Sequence, residues 1–458
     1  MGLPLRHTDP DGARPLTGVD WSAVPDPADA GAELHALIAE LMPLPRSLTG
    51  NGVRATFDVL DRIVALDRTE VPTGTQAFDW TIPREWNVRG ARLYGPDGEA
   101  IADFADSTLH LLGYSLPVQA RMPLAELRPH LFSDPKRPDV IPFRTSYHHE
   151  NWGFCLPHAT LEQLEDGGYE VFIDSTLEEG HLTYAEAAVT GAEPTEVLIS
   201  TYVCHPQLAN DNLSGVVLAA LLARTLGGMR LRLSYRFVFS PATIGPLAWL
   251  SRNEDRLGLI RAGLVVSCVG APGRLTYKRT RRGNAEIDRA VEIALRDLGD
   301  DHELRDFSPL GGDERQFCSP GFDLPVGVLS RTPQDEFPEY HSSADDLELV
   351  RPDLLADSFR AYLRVIDVLE GNGTYVNTNP RGEPQLGRRG LYRTIGGGSF
   401  AEAALLWVLN LSDGTNDLLE TARRSRLPFA DIREAADRLL DVGLLTAHGS
   451  DDAVPQAE

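Results

Sequence analysis

A histidine and an aspartate stand six residues apart in the run Cys204-His205-Pro206-Gln207-Leu208-Ala209-Asn210-Asp211-Asn212-Leu213-Ser214-Gly215, where a strand gives way to a helix. The strand is read over Val197 to Val203, a β-rich run between Pro194 and His205-Pro206. The helix follows from Leu213, with Val216, Val217, Ala220, Leu221 and Leu226 on its apolar face. An imidazole leaving a strand end and a carboxylate just ahead of a helix can converge on one cation, and zinc accepts both donor types. The everyday alternative is that Asp211 or Asn212 caps the helix. A second segment, Glu336-Phe337-Pro338-Glu339-Tyr340-His341-Ser342-Ser343-Ala344-Asp345-Asp346, carries His341 in a loop after the strand read over Val326 to Ser330. Loops after parallel strands are where site residues collect, although a lone histidine there is commonly a surface residue.

These residues need a scaffold that holds strand ends together. From Glu196 to about Gly371, strand-like runs at Leu231 to Phe239, Gly263 to Val269 and Val326 to Ser330 alternate with helical runs at Ile244 to Asn253, Ala285 to Leu298 and Leu354 to Leu369. That alternation predicts an α/β fold, a mixed and mostly parallel sheet flanked by helices. Ahead of it, Leu34, Leu37, Ile38 and Leu41, then Phe57, Leu60 and Ile63, predict two helices joined by a turn over Pro43 to Asn51. Short β-rich pieces such as Ala91 to Tyr94, Leu109 to Leu112 and Tyr169 to Ile173 predict an inserted β region. A Gly, Pro and Arg-rich stretch after Gly371 reads as a linker, and the helical patterns Phe400 to Leu411, Asn416 to Arg424 and Phe429 to Val442 resemble a winged helix-turn-helix. The resulting division is a loose leader over 1–30, an α/β domain over 31–70 and 180–371, an insertion over 71–179, a linker over 372–389 and a winged helix over 390–450.

The chain has 458 residues, with 43 basic against 67 acidic side chains and a net charge of -24. That balance opposes a general attraction to nucleic acid or anionic lipid, and the winged helix itself has no dominant basic face. No apolar run reaches the length of a membrane span and no export signal opens the chain. Cys155, Cys204, Cys268 and Cys318 are too few and scattered for a disulfide framework, which suits a cytoplasmic protein. A small-molecule or short-peptide substrate and a homo-oligomeric state are expected.

The two histidine segments resemble the zinc aminopeptidase family that includes bacterial leucyl aminopeptidases and glutaminyl cyclases. The likeness rests on Asn210-Asp211-Asn212-Leu213-Ser214-Gly215 and Tyr340-His341-Ser342-Ser343-Ala344-Asp345. The chain looks most like a bacterial branch that adds a small β domain and a C-terminal winged helix. Arg46-Ser47-Leu48-Thr49-Gly50, Phe78-Asp79-Trp80-Thr81-Ile82-Pro83-Arg84-Glu85-Trp86-Asn87, Trp152-Gly153-Phe154-Cys155 and Gly312-Asp313-Glu314-Arg315-Gln316-Phe317 carry that closer match, which covers almost everything after residue 30.

The resemblance implies that His205 binds one zinc, Asp211 bridges and His341 binds a second. It also exposes a departure. Where the family places two consecutive glutamates, a base and a ligand, this chain has Ala242-Thr243; where it places an aspartate ligand, Val266-Ser267-Cys268 stands. Subtraction leaves His205, Asp211 and His341, three protein ligands with one open corner, so one zinc rather than two is expected. Cys268 as a thiolate ligand is an alternative to its structural burial. Such an ion would polarise a carbonyl and lower the pKa of water toward about 7.

With the glutamate base gone, Glu314 and Glu336 become the candidates for general acid-base work, although the commoner use of such residues is to hold an Arg or a substrate amine by charge pairing. Asp313 and Tyr340 are expected at the substrate pocket. Tyr277 and Arg281, in the basic segment Tyr277 to Gly283, are candidates to receive an acidic part of the substrate, against a plain solvated loop. Trp80, Trp86 and Tyr147-His148-His149-Glu150 form either the insertion's own small core or a wall of the site; adjacent His148 and His149 point apart and make a poor metal pair. The expected function is a zinc-dependent aminopeptidase-like hydrolase that cleaves an amide bond of a small peptide or amino-acid conjugate. The alternatives are a non-proteolytic zinc enzyme of biosynthesis, performing transfer, cyclisation or deacylation, and an inactive binding or regulatory protein.

Overall fold

The computed structural model describes residues 18–299, 301–391 and 400–448. Its centre is an eight-stranded sheet in the order Asp67–Pro72, His181–Val189, Ser234–Ser240, Glu196–Tyr202, Ile260–Val266, Val326–Ser330, Leu275–Lys278, His302–Arg305. The four middle strands from Ser234–Ser240 to Val326–Ser330 run parallel, and antiparallel pairings flank them on both sides. Parallel strands joined by helical crossovers bury both faces, which is why Glu196–Tyr202 is buried at every position.

Alternate residues of those strands feed two cores. Val197, Ile199, Phe237, Phe239, Leu264 and Val266 pack under the helices Pro27–Leu41, Gly215–Gly227, Glu286–Leu298 and Pro352–Gly371. Leu198, Val238, Val265 and Val326 face the opposite way, under the helices Ile244–Arg252 and Glu314–Phe317 and the insertion. The helix Gly215–Gly227 is apolar up to the exposed Arg224 of its last turn, because the sheet, the helix Pro27–Leu41 and the helix Pro352–Gly371 surround it.

The insertion is built on a four-stranded antiparallel sheet in which Gly168–Glu178 pairs with Glu85–Tyr94 and Val118–Pro123. The expected piece Leu109 to Leu112 is instead a single 3-10 turn, Thr108–His110, capped by Ser107. The winged helix comprises the helices Phe400–Leu411, Leu418–Ser425 and Phe429–Asp441 with a three-stranded sheet. It is fastened to the α/β body by Arg289 on Asp417 (2.7 and 2.8 Å) and Arg433 on Asp367 (2.9 Å).

Four boundaries differ from the sequence reading. Of the leader read over 1–30, positions 1–17 lie outside the described residues, and helix already begins at Pro27, where Asp26 accepts the Ala28 N–H at 2.9 Å and proline sits in the first turn. The supposed linker 372–389 contains Thr374–Asn377, the central strand of the winged-helix sheet; its Gly-rich neighbourhood masked four residues of strand. Positions 71 and 72, assigned to the insertion, complete the edge strand Asp67–Pro72 of the main sheet. Finally, Tyr277 belongs not to a basic loop but to the short strand Leu275–Lys278, too short to display a period. In the winged-helix range 390–450, residues 392–399 and 449–450 fall outside the described residues.

Candidate metal centre

His205 leaves the end of the strand Glu196–Tyr202, and its backbone is held from below: the fully buried Arg46 guanidinium donates to the His205 carbonyl at 2.9 Å and the Leu41 carbonyl at 2.5 Å. Two residues on, the Gln207 side-chain oxygen accepts from Thr108 N (2.7 Å), Thr108 Oγ1 (3.1 Å) and Ser107 Oγ (3.0 Å), so the insertion pins this loop.

Asp211 lies in a turn where nearly every polar group is spoken for. Asn210 Oδ1 accepts from the Gly270 and Ala271 amides at 3.0 and 3.1 Å, and Asn212 Nδ2 donates to Thr201 Oγ1 at 2.9 Å while its Oδ1 accepts from Cys268 N at 3.1 Å. Asp345, from the His341 loop, accepts the amides of Asn210 (2.6 Å) and Asp211 (2.9 Å). Gly215 closes the turn because a Cβ there would stand 2.5 Å from both Asn212 Oδ1 and the Val266 carbonyl. The Asp211 side chain caps no helix: the helix Gly215–Gly227 begins without a side-chain cap, which removes the capping alternative.

Three side chains from these distant segments meet. Donor atoms of His205, Asp211 and His341 all lie within 4.8 Å of one another, the one such cluster of metal-binding residue types among the described residues. Asp211 Oδ2 is 3.9 Å from His205 Nε2 and 3.1 Å from His341 Nε2. Yet Asp211 Oδ2 and His341 Nε2 are buried without a properly directed hydrogen bond. Lone pairs that approach one another off-line in a buried spot are what a shared cation would reconcile, and two imidazoles with one carboxylate form a donor set that zinc accepts. Burial draws the His205 imidazole down to about 4, against the pull of Asp211. Burial alone would raise the Asp211 carboxyl, but His205, His341 and Tyr202 outweigh it and hold it down to about 2.

The surroundings fix the rings. Tyr340 stacks on His341 with centroids 3.9 Å apart, and Phe143 of the insertion lies 5.2 Å from the His205 ring and 5.1 Å from that of His341. Phe143 N also donates to the His341 carbonyl at 2.9 Å. His341 itself adopts φ 51, a left-handed conformation uncommon for a non-glycine residue and often retained near sites.

Tyr202, which the sequence reading passed over, donates its hydroxyl to Asp211 Oδ1 and accepts from Gln334 Nε2 at 2.8 Å. Burial and the Asp211 charge push this phenol well above its usual range, so it remains a donor. An aromatic at a buried strand position looks like core, and only the fold shows that its hydroxyl reaches the site. Cys268 is buried, its sulfur 3.9 Å from Asp211 Oδ1; burial pushes its thiol well up, and it is not one of the three converging side chains.

A cavity of about 280 Å³ lies on the Gln334 side, linked to the centre through the Gln334 bond to Tyr202 and lined among others by Ser267, Thr276, Lys278, Glu314, Gln334 and Glu336. Both candidate bases are there, but each holds a cation: Glu314 is buried and receives Lys278 Nζ at 2.7 Å, whereas Glu336 is half-exposed and clasped by Arg305 (2.9 Å for one of two bonds). Asp313 is fully buried with neither oxygen hydrogen-bonded, and it does not line the cavity. Burial and the neighbouring Glu314 push its carboxyl up to about 8. Tyr340 reaches the centre through its stack on His341. Tyr277 and Arg281 do not: Tyr277 is buried on the opposite face and donates to Asp288 Oδ1 at 2.8 Å, and Arg281 pairs on the surface with Asp323 at 2.9 Å. The alternation along a four-residue strand turns Tyr277 inward toward the helix Glu286–Leu298, away from Lys278 and the cavity.

Comparison with known proteins agrees with this fold. Residues 373–447 match the winged helix-turn-helix family model. A protein of Clostridium acetobutylicum named for polysaccharide biosynthesis and an aminopeptidase-like domain is 50% identical over 421 residues, covering 91% of this chain and 97% of its own. A crystal structure from Clostridium acetobutylicum, named for a peptidase, superposes with a TM-score of 0.88 at 48% identity over 92% of this chain and 97% of that one. A zinc aminopeptidase of Bacillus subtilis shares the fold at 13% identity, TM-score 0.51, over 73% of this chain and 94% of its own. The M28 peptidase precursor of Shewanella amazonensis does so at 13% identity and TM-score 0.52, over 75% of this chain and 96% of its own. Residues 35–372 match the family model described as domain of unknown function DUF4910, and the chain is a member of that family, built on an aminopeptidase-like fold.

Proposed function

We propose that this protein is a hydrolase that uses one zinc ion, held by His205, Asp211 and His341, to cleave an amide bond of a small polar peptide or amino-acid conjugate. The observation that carries the reading is the Tyr202 hydroxyl on Asp211 Oδ1, which leaves Oδ2 as the only carboxylate oxygen turned to the two imidazoles. A second ion would lack the carboxylates that the resemblance leads one to expect, since Ala242, Thr243, Ser267 and Cys268 stand in their places. Bound there, zinc supplies Lewis-acid polarisation of the scissile carbonyl and a more acidic water.

The chain's own residues do the rest. Tyr202 and Gln334 orient Asp211, as supporting partners do for metal ligands generally, and Phe143 and Tyr340 clamp the two imidazoles and screen them from water. The cavity on the Gln334 side is walled by hydroxyls, an amide and four carboxylates against the two cations Lys278 and Arg305, which suits a polar substrate better than an aliphatic one. Glu314 is the better-placed of the two candidate proton acceptors, because it is buried at the cavity wall and held by a single contact from Lys278; Glu336, half-exposed and clasped twice by Arg305, binds rather than reacts.

The test is metal content followed by turnover. Purified protein should carry one zinc per chain, lose it in His205→Ala and His341→Ala, and hydrolyse some member of a panel of aminoacyl amides with Glu314→Gln at least tenfold slower. Two tightly held ions, or none, would refute the reading. The name of the Clostridium relative, together with Ala242 at the position of the usual base, favours a second reading, deacylation or transfer in polysaccharide assembly. Inactivity on every aminoacyl amide with release of acetate from N-acetylated sugars would decide for it.

A further inference from the structure

A second recess, sharing no lining residue with the cavity at Gln334, opens at Ala242. It measures about 160 Å³, its floor is Ala242, Thr243 and Ile244, and Trp80, Tyr147 and His148 of the insertion form its wall. It lies close to the reacting end of the molecule: the Cys204 sulfur is 3.5 Å from His205 Nδ1 on one side and 3.8 Å from the Ala242 carbonyl on the other.

Trp80 is the unusual member. It sits on a two-stranded hairpin, Gln76–Ala77 with Trp80–Thr81, and is 40% exposed, in a chain that buries Trp86 and Trp249 almost fully. An indole left half in water at the mouth of a recess offers a broad apolar face and one polar edge, which is how such rings serve at binding surfaces. His148 meets it edge-on at 6.2 Å, so the pair forms a corner rather than a closed stack. Around this apolar surface stand the hydroxyls of Thr81 and Thr243 and the His148 imidazole, while Tyr147 lines it with its hydroxyl turned into the protein.

One apolar plate with a polar rim is complementary to a pyranose ring, whose axial C–H bonds form an apolar face and whose hydroxyls point outward around it. An aliphatic or aromatic amino-acid side chain would leave that rim unused. We infer that the recess between Trp80 and Ala242–Thr243 binds a sugar ring, so that the amide substrate of the centre is a saccharide conjugate whose ring stacks on Trp80. The inference rests on the hydrolase reading and deepens it by naming the substrate class, and the naming of the Clostridium relative for polysaccharide biosynthesis is consistent with it.

The full-length protein should bind N-acetylglucosamine and its disaccharide in saturation-transfer NMR and calorimetry, with Leu-amide as the peptide control. Trp80→Ala should weaken saccharide binding about tenfold, the worth of one aromatic contact, while Trp80→Phe retains most of it. Thr243→Glu, which fills the floor, should abolish it. His341→Ala should lose zinc yet still bind the saccharides, so a failure of the zinc reading shows separately from a failure of the sugar reading. Binding of Leu-amide alone, unchanged saccharide binding in Trp80→Ala, or no saccharide binding at millimolar concentration would each overturn the inference.

Discussion

Asp345 and Asp313 are two buried carboxylates in the loops around one centre, and burial pushes both up to about 8, yet they are built in opposite ways. Asp345 accepts two backbone amides, those of Asn210 and Asp211, and so ties the His341 loop to the turn that presents the metal-ligand aspartate. Asp313 accepts nothing. The first is a clamp whose hydrogen bonds offset its desolvation; the second is a desolvated acid without compensation, beside Glu314 and the cavity. The contrast teaches that burial alone does not assign a role to an acid: the partners do.

The comparison breaks most visibly at the clamp. Asp345→Ala should strip two amides of their acceptor, cost about 3 kcal/mol of stability in urea unfolding, and release zinc, because the two ligand-bearing segments then lose their common tie. If Asp345→Ala unfolds at the wild-type urea concentration, the clamp reading fails. Tyr202→Phe removes only a supporting bond and should lower zinc affinity about tenfold in a chelator competition while the protein stays folded.

Asp313 gives a smaller effect with a definite sign. Burial raises its folded pKa to about 8, well above the usual aspartate value, so the folded state holds the proton more tightly. Below the lower value both states are protonated and the group is neutral in its effect. Stability is then lost as pH rises between the two values, and the loss is complete above the folded pKa. Asp313→Asn should therefore raise Tm over wild type by more at pH 9 than at pH 4, and an equal shift at both would sink this account. Least of all should come from Arg281→Ala, which removes a surface pair with Asp323 and should change stability by under about 0.5 kcal/mol and leave turnover untouched.

Much of this molecule was legible in its sequence. The α/β alternation, the crossover helices and the winged helix all follow from hydrophobic periods long enough to count, and His205, Asp211 and His341 were identifiable from two short segments. Tyr277 and Arg281 were misplaced because a strand of four residues shows no period, so neither its inward face nor its edge position could be read. Tyr202 was missed because a buried aromatic on a strand carries the same local signal whether or not its hydroxyl meets a carboxylate.

The sequence by itself determined which elements form and which residue types were available for chemistry, since local pattern and donor identity are written residue by residue. Only the tertiary structure decided that Tyr202 occupies one oxygen of Asp211, that Lys278 and Arg305 engage the two candidate bases, and that Trp80 closes a recess over Ala242. Each depends on side chains from separate segments meeting in space, and hydrogen bonds and ion pairs act over a few ångströms, whatever the separation along the chain.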